Sequence, residues 1–305
     1  MNAPAIIATP ARRRVDPRTA AQFLALALIW GSTWIVIKDQ LGTVPVAWSV
    51  AYRFIVAGTA MTLLCLATGK SLALPRVGHA IALAAASFQF LLNFNLVYQS
   101  ERWLTSGFVA LVFALIVIPN TVFARIFLRS PISGRFVAGG ALGIAGVALL
   151  VSNDLGVVGG RSALLGIAMA VFAVTSASVA NVLQASPRAR VLPLEPLLAA
   201  TLTYGGVLCA GFAWASAGAP VFDARPSYIA GVLYLGLIAS ALAFRLYYAL
   251  IRKIGPPRAG YVNVVVPLVA MTMSTLFEGF VWTPLAALGG VLALVGLVVA
   301  LRSRA

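Results

Sequence analysis

Long apolar stretches alternate with short polar segments along the chain from Thr19 to Leu301. About ten stretches can be separated, and each approaches the roughly 20 residues that cross a bilayer as an α-helix. The predicted spans are residues 19–37, 46–68, 78–98, 103–124, 136–152, 162–184, 194–217, 226–250, 259–277 and 283–301. Because the connections are short, the pattern predicts an all-α polytopic membrane protein with ten transmembrane helices and no separate soluble domain.

The last five predicted spans resemble the first five. Glycines of the fifth span recur 150 residues later in the tenth, where Gly289, Gly290 and Gly296 match Gly139, Gly140 and Gly146. A unit of five helices begins and ends on opposite sides of the membrane, so a second copy must be inverted. We therefore predict two inverted repeats, at residues 19–155 and 156–305, after a disordered cytoplasmic tail at 1–18. Two oppositely oriented halves around one site are an architecture of transporters.

The same glycines indicate how the fifth and tenth helices pack. Glycines at three- and four-residue spacing let two helix backbones approach closely. We interpret them as packing these two spans together inside one bundle, which predicts a monomer. A dimer interface is the alternative interpretation.

The charge distribution indicates membrane topology. The chain is 61% hydrophobic and 10% charged, with a formal net charge of +15. Sixteen of the 22 Lys and Arg residues fall in the terminal segments or in loops after even-numbered spans, and four fall in the opposite loops. The positive-inside rule then places both termini in the cytoplasm. This placement indicates contact with the lipid bilayer, because nucleic-acid binding uses a clustered basic face instead.

The tryptophans are predicted to mark a membrane interface. Five of the six lie near the predicted outer ends of spans, at Trp34, Trp48, Trp103, Trp214 and Trp282. Because Trp is enriched at the membrane–water boundary, we predict an interfacial belt of these five.

The chain offers few groups for catalysis or metal binding. Cys65 and Cys209 lie inside spans and the lone His79 lies at a loop, so we predict no metal site and no cofactor. Residues 69–71 read Gly-Lys-Ser, but the upstream glycine of a phosphate-binding loop is absent. All seven acidic residues lie at span ends or in loops. A midplane carboxylate is therefore absent from the pattern, which favours a neutral, zwitterionic or anionic cargo over a cation.

Amide side chains form a strip along the third predicted span, at Gln89, Asn93, Asn95 and Gln99. Gln89 and Asn93 share one face because they are four residues apart. An amide without a partner is costly in hydrocarbon, so these groups must face the bundle interior. They line a cavity or join helices by hydrogen bonds, and the sequence leaves both interpretations open.

Two arginines lie inside predicted spans. Arg245 is close enough to a span end for its side chain to reach the interface. Arg53 lies seven residues into the second span, which is roughly 10 Å deep at 1.5 Å per residue. It needs a wet cavity or an ion pair with Asp39, Glu101 or Glu278. We predict an ion-pairing or coupling role for Arg53 and Glu278.

Two prolines interrupt predicted spans, Pro119 in the fourth and Pro267 in the ninth. Each removes a helix hydrogen bond and permits a bend. Interrupted helices in corresponding halves point to a transport site, so we predict a gating or hinge role. A static kink is the alternative.

Several motifs together resemble a known family. They are Ile29-Trp30-Gly31-Ser32-Thr33-Trp34 with Lys38 in the first span, Pro267 followed by Leu276-Phe277-Glu278 in the ninth, and the glycine-rich fifth and tenth spans. On these features residues 19–301 resemble the drug/metabolite transporter superfamily, in its branch of two five-helix units. Within that branch the chain looks most like aromatic amino acid exporters of bacterial inner membranes. The first half departs from the pattern, because Ala114 and Arg125 occur where the second half has Pro267 and Glu278.

The resemblance implies a ten-helix basket whose central cavity is lined mainly by helices 1, 3, 4, 6, 8 and 9. It implies eight cargo-binding residues: Trp30, Thr33, Gln89, Asn93, Tyr98, Asn181, Tyr247 and Tyr248. Trp30 is the one tryptophan outside the predicted interfacial belt, so an aromatic lining suits it; core packing is the alternative.

These expectations combine into one hypothesis. The chain is predicted to be a cell inner membrane exporter of amino acids, with aromatic and other apolar ones favoured, that works by alternating access and needs no cofactor. A transporter of another small metabolite or drug is the first alternative. A membrane-embedded enzyme would need converging acid, His or Cys groups, and a channel would need a continuous polar strip. The sequence shows neither pattern.

Overall fold

The computed structural model describes residues 17–129, 133–158, 160–254, 259 and 262–301. Every regular element in these ranges is helical, which confirms the predicted all-α class. The first 16 residues, part of the predicted cytoplasmic tail, lie outside the described ranges.

Fourteen α-helices and two π-helical segments follow one another along the described chain. The first half contains α1 (Pro17–Asp39), α2 (Val46–Ala67), α3 (Arg76–Ala85), π1 (Ala86–Asn93), α4 (Phe94–Ser100), α5 (Ser106–Ala114), α6 (Val117–Leu128) and α7 (Gly134–Val158). The second contains α8 (Gly160–Ala185), α9 (Pro187–Arg190), α10 (Leu194–Ala217), α11 (Pro226–Leu233), π2 (Tyr234–Leu242), α12 (Ala243–Ile254), α13 (Val262–Phe277) and α14 (Pro284–Leu301). The predicted boundary between the repeats, at 155/156, falls in the last turns of α7.

Seven helical stretches of the described chain are long and apolar enough to cross a membrane. They correspond to the predicted spans 1 to 4 and 6 to 8, and the stretches α3-π1-α4 and α11-π2-α12 each form one of them. Three shorter apolar helices, Val137–Gly146, Val266–Phe277 and Pro284–Gly296, fall in the predicted spans 5, 9 and 10. The protein is therefore a polytopic, helical membrane protein.

A π-helical segment interrupts the third span and another interrupts the eighth. A π-helix bonds each amide to the carbonyl five residues back, so it widens the helix and makes some carbonyls available to other donors. Side chains from other helices use these carbonyls. Ser176 donates to the Phe88 carbonyl at 2.7 Å in π1, and Trp30 Nε1 donates to the Ala239 carbonyl at 3.2 Å in π2.

Helices α7 and α14 pack through glycines at equivalent positions. A Cβ at Gly146 would lie 2.6 Å from the Gly289 carbonyl oxygen, and a Cβ at Gly296 would lie 2.6 Å from the Gly139 carbonyl oxygen. Only glycine allows backbones this close. The predicted packing of these two helices against each other within the bundle is confirmed.

The two span prolines have different local effects. The fourth span breaks between α5 and α6 at Leu115 and Ile116, whose amides bond three residues back. Pro119 explains the break, because a proline ring displaces the carbonyl four residues before it, here that of Leu115. Pro267 instead lies inside α13, which continues from Val262 to Phe277.

The predicted tryptophan belt is wrong for two of its five members. Trp34 and Trp48 are 7% and 5% exposed, so neither reaches a lipid interface. Trp48 Nε1 donates to the Gly218 carbonyl at 3.2 Å, and Trp34 packs inward. Trp103, Trp214 and Trp282 are at least one-third exposed, as a belt requires. Position along a helix does not determine which face a side chain occupies, and these two residues lie on the inward face.

Candidate functional site

A central cavity of about 90 Å³ lies between the two halves. By the same measure one water needs about 10–15 Å³, so the space holds several waters or a small organic molecule. Its walls come from α1, α2, π1, α4, α5, α8, α12 and α13. These are the spans that the family resemblance implies, with α2 added.

Aromatic rings form much of the cavity wall. The rings of Trp30 and Tyr247 meet edge to face at 5.0 Å, and Phe244 packs against Trp30 at 5.6 Å. Trp34 meets Phe113 at 5.7 Å on the same cavity. Because the indole of Trp30 is fixed by its bond to the Ala239 carbonyl in π2, its ring presents a rigid apolar surface.

The amides of π1 reach the same cavity. Asn93 Nδ2 donates to the Gln89 carbonyl at 3.1 Å, so this bond uses the nitrogen of the amide and not its oxygen. Asn93 Oδ1 and Gln89 Oε1 are both buried without a hydrogen-bond partner among the described residues. Asn181 Nδ2 contacts Asn120 Oδ1 at 3.4 Å on α6. Two residues that line the cavity therefore carry amide oxygens that lack a donor among the described residues.

Arg53 lines the same cavity and is 2% exposed. Its Nε donates to Ser240 Oγ in π2 at 2.9 Å, and its guanidinium lies over the Phe94 ring, 4.3 Å from the centroid. Nη1 is buried and has no hydrogen-bond partner in the described part of the chain. Of the carboxylates that the structure describes, none lies within ion-pairing distance of Arg53.

The structure gathers six of the eight predicted cargo residues on this cavity: Trp30, Thr33, Gln89, Asn93, Asn181 and Tyr247. Thr33 uses its hydroxyl to donate to the Trp30 carbonyl at 2.7 Å. Tyr98 and Tyr248 lie behind the wall. Tyr98 is fully buried and donates to Gln40 Oε1 at 3.1 Å, and Tyr248 packs on the rings of Phe244 and Tyr247.

Sequence reasoning missed two parts of the wall. It placed Trp34 in the interfacial belt and assigned no cavity role to Phe94, Phe113 or Phe244. Three-residue spacing from Thr33 to Trp30 and four-residue spacing from Trp30 to Trp34 could have placed Trp34 on the cavity face of α1. The phenylalanines carry no comparable signal, since apolar residues are common on every face of these helices.

A second polar cluster joins the two halves beyond α5. Ser106 Oγ lies 3.0 Å from Glu101 Oε2 and 2.8 Å from Glu278 Oε1, and the Ser106 amide donates to Glu278 Oε2 at 3.1 Å. Lys38 Nζ donates to the carbonyls of Glu101 and Leu104. Glu101 lies in the loop between two spans, where burial raises its pKa well above the ordinary value. Glu278 therefore contacts Ser106 rather than Arg53.

A third cluster lies at the opposite ends of the helices and is ordinary ion pairing. Glu195 accepts from Lys70 Nζ at 2.9 Å and from Arg245 Nη2 at 3.3 Å. Arg245 is 40% exposed at its side chain, in contrast to Arg53. The part of the chain that the structure describes contains no group of three or more His, Cys, Asp or Glu side chains that could hold a metal ion.

The fold and the cavity define a class of protein, namely a helical membrane protein built around a central site for a small molecule. The EamA-like transporter family matches residues 18–152 and, separately, residues 164–302. Since these matches cover most of the chain, the protein belongs to the EamA-like transporter family. Membership confirms the resemblance to the drug/metabolite transporter superfamily, and it identifies a membrane transporter rather than an enzyme.

Individual relatives are distant. The chain is similar to the protein PagO of Salmonella typhimurium (strain LT2), with 22% identity over 258 residues that cover 85% of this chain and 84% of that protein. It is similar to the uncharacterized inner membrane transporter YedA of Escherichia coli (strain K12), with 28% identity over 270 residues that cover 88% and 85%. One solved crystal structure matches with a TM-score of 0.69 and 18% identity over 94% of this chain and 97% of that chain, which shows the fold alone.

Proposed function

We propose that this protein exports amino acids, with aromatic and other apolar ones favoured, by alternating access through the central cavity. The observation that carries the proposal is the composition of that cavity. Rigid aromatic rings around Trp30 lie beside the amides of Gln89 and Asn93 and the guanidinium of Arg53. Aromatic rings suit an apolar side chain, whereas the polar groups suit the common backbone of an amino acid.

The architecture in this proposal has ten spans in two inverted repeats. The three shorter apolar helices occupy the fifth, ninth and tenth positions, and the family matches the chain twice. Reciprocal contacts between the halves support the inversion. Spans 6 and 7 donate from Ser176 and Cys209 to carbonyls of π1, and spans 1 and 2 donate from Trp30 and Arg53 to π2.

The proposed location is the cell inner membrane, with both termini in the cytoplasm. A relative named as an inner membrane transporter supports the location. The excess of Lys and Arg on one set of loops supports the orientation. In this orientation the cluster of Glu101, Ser106 and Glu278 lies at the outer end and Glu195 lies at the cytoplasmic end.

Transport of another small metabolite is the second candidate. The described residues that line the cavity include Arg53 and no Asp or Glu, so an anionic metabolite would also fit. A cationic drug fits poorly, because a cation in the cavity would meet a guanidinium without a counter-charge.

Transport by purified protein in liposomes would test the proposal. Wild type should carry radiolabelled phenylalanine, and an excess of unlabelled phenylalanine should compete. Trp30→Ala should lower the affinity for phenylalanine by about 2- to 12-fold, because a well-placed aromatic contact contributes about 0.5–1.5 kcal/mol. It should lower the affinity for threonine by a smaller factor.

Trp214→Ala is the matched control, since Trp214 is 61% exposed and far from the cavity lining. It should leave both affinities unchanged. Absence of amino acid transport by well-folded wild type, with transport of another metabolite, would contradict the proposal.

A further inference from the structure

Arg53 is a buried cation that forms no ion pair with a carboxylate of the described residues. The residue is 2% exposed, and the acids at the two ends of the bundle use other partners, Ser106 in one cluster and Lys70 with Arg245 in the other. Removing a cation from water is expensive unless a partner compensates it. The sequence left a wet cavity and an ion pair open for Arg53, and the structure places its side chain on the cavity.

The side chain of Arg53 is held in place while one end stays available. Nε is bonded to Ser240 Oγ, and the plane of the guanidinium is supported by the Phe94 ring on the cavity wall. Nη1 keeps its hydrogens without an acceptor among the described residues. A guanidinium fixed in this way is prepared for a planar anionic acceptor, of which a carboxylate is the common biological example.

The amide side chains of π1 lack hydrogen-bond donors, whereas Arg53 lacks an acceptor. Asn93 Oδ1 and Gln89 Oε1 are acceptors without donors in the described structure, and both residues are at least nine-tenths buried. The bond from Asn93 Nδ2 to the Gln89 carbonyl keeps the oxygen of Asn93 as the free atom. Two neutral acceptors near aromatic rings suit a donor such as an ammonium group.

We propose that Arg53 binds the carboxylate of the cargo and that the amide oxygens of Asn93 and Gln89 bind its ammonium group, so that the cavity recognises an α-amino acid as a zwitterion. This assignment rests on the proposed function and gives it a mechanism of selection. It also gives Arg53 a role in binding cargo, in place of an ion pair inside the protein.

Three ligands that each carry a phenyl ring distinguish the contact to the carboxylate from the contact to the ammonium group. L-phenylalanine carries both charged groups, 3-phenylpropionate lacks the ammonium group, and 2-phenylethylamine lacks the carboxylate. Competition of each against radiolabelled phenylalanine on wild-type protein gives reference affinities. Direct binding to each detergent-purified variant is then measured by isothermal titration calorimetry.

Arg53→Gln should lower the affinities for phenylalanine and 3-phenylpropionate by at least tenfold. It should leave the affinity for the cation 2-phenylethylamine unchanged or raise it, because repulsion by the guanidinium is lost. Asn93→Leu should lower the affinities for phenylalanine and 2-phenylethylamine and change the affinity for 3-phenylpropionate little. Arg245→Gln is the matched control, because Arg245 lies on another cluster, paired with Glu195. It should leave the affinities for all three ligands unchanged.

Arg53→Lys covers the case in which Arg53→Gln does not fold. It keeps the charge but loses the planar guanidinium, so it should lower the affinities for the two carboxylate ligands by a smaller factor. Equal losses for all three ligands in folded Arg53 variants would overturn the carboxylate assignment and leave amino acid transport intact. Binding of 3-phenylpropionate that depends on Arg53, without binding of phenylalanine, would instead support the assignment and overturn amino acid export.

Discussion

The two π-helical segments use the same backbone geometry for different chemistry. Each interrupts the third helix of its half, and each accepts hydrogen bonds from the first two helices of the other half. π1 adds two amide side chains of its own to the cavity, Gln89 and Asn93. π2 adds none, and it uses a carbonyl and Ser240 Oγ to hold Trp30 and Arg53, which belong to the first half.

This difference separates the scaffold from the site. The scaffold follows an approximate twofold pattern, because equivalent helices make equivalent contacts across the interface. The site does not, because most of its polar groups come from the first half and the second half positions two of them. The binding site can therefore be asymmetric although the packing contacts of the two halves correspond to each other.

The largest effect should come from breaking the symmetric scaffold. A Cβ at Gly146 would lie 2.8 Å from Ala293 Cα, and a Cβ at Gly296 would lie 2.8 Å from Gly143 Cα. Gly146→Ala and Gly296→Ala should each destabilise the protein by about 1–3 kcal/mol, because backbone atoms rather than flexible side chains must move. The two losses should agree closely if the contacts are equivalent. Thermal unfolding in detergent measures both.

Gly211→Ala is the control for those variants, since an added Cβ at Gly211 meets no atom within 4 Å. It should be neutral or slightly stabilising, because alanine favours a helix more than glycine does. A loss at Gly146 alone would show that the two halves are not packed equivalently.

The next largest effect should distinguish the role of π2 in cargo binding from the role of π1 in stability. Ser240→Ala removes the acceptor of Arg53 Nε. We expect it to lower the affinity for phenylalanine by about two- to twelvefold, since an intramolecular hydrogen bond contributes about 0.5–1.5 kcal/mol net. Ser176→Ala removes the donor to the Phe88 carbonyl at 2.7 Å and should act on stability instead. Equal effects of both variants on affinity would contradict the division between site and scaffold.

Hydrophobic length was sufficient to predict most of the fold. Spans 1 to 4 and 6 to 8 contain long helices where the sequence places them, because burial of a helix in lipid depends on length and composition. Glycine spacing likewise predicted the contact between α7 and α14, since close approach needs an absent side chain at a fixed interval.

The site was less predictable. A π segment adds one residue to a turn without a distinctive composition, so neither π1 nor π2 had a sequence signal. The partner of Arg53 depends on which helix faces α2, and α11-π2-α12, far along the chain, provides Ser240 there. Gln89 and Asn93 were recognised because an amide in an apolar span is costly wherever it lies.

A smaller effect should appear at the cluster of Glu101, Ser106 and Glu278, where the halves also differ. The second half has Glu278 where the first has Arg125, and Glu278 shares Ser106 with Glu101. One hydroxyl has one hydrogen, so Ser106 satisfies both carboxyls only if one of them is protonated and donates to it. Burial, with a further contribution from Glu278, raises the pKa of Glu101 well above 4.5, while Ser106 and Lys38 lower it.

The sign of the pH dependence follows from that shift. Above about pH 4.5 the unfolded chain has lost a proton that folded Glu101 still holds, so stability should fall as the pH rises toward the folded pKa. The Tm of wild type should therefore decrease as the pH rises above about 5, and Glu101→Gln should flatten the decrease. Asp223→Asn is the control, because hydrogen bonds from Arg225 lower the pKa of Asp223 and place its titration below this range. A Tm that rises over the range, or an unchanged slope in Glu101→Gln, would contradict the assignment.

The smallest effect should come from the two tyrosines behind the cavity wall. Tyr98→Phe leaves Gln40 Oε1 without its donor and should cost about 1 kcal/mol of stability. Tyr248→Phe removes a buried hydroxyl that has no partner among the described residues, so the change in stability should stay within about 0.5 kcal/mol. Because Tyr248 does not line the cavity, Tyr248→Phe should bind phenylalanine as wild type does. Tm in detergent and the phenylalanine affinity measure these effects together. A tenfold loss of affinity in Tyr248→Phe would show that the cargo reaches past the wall formed by Phe244 and Tyr247.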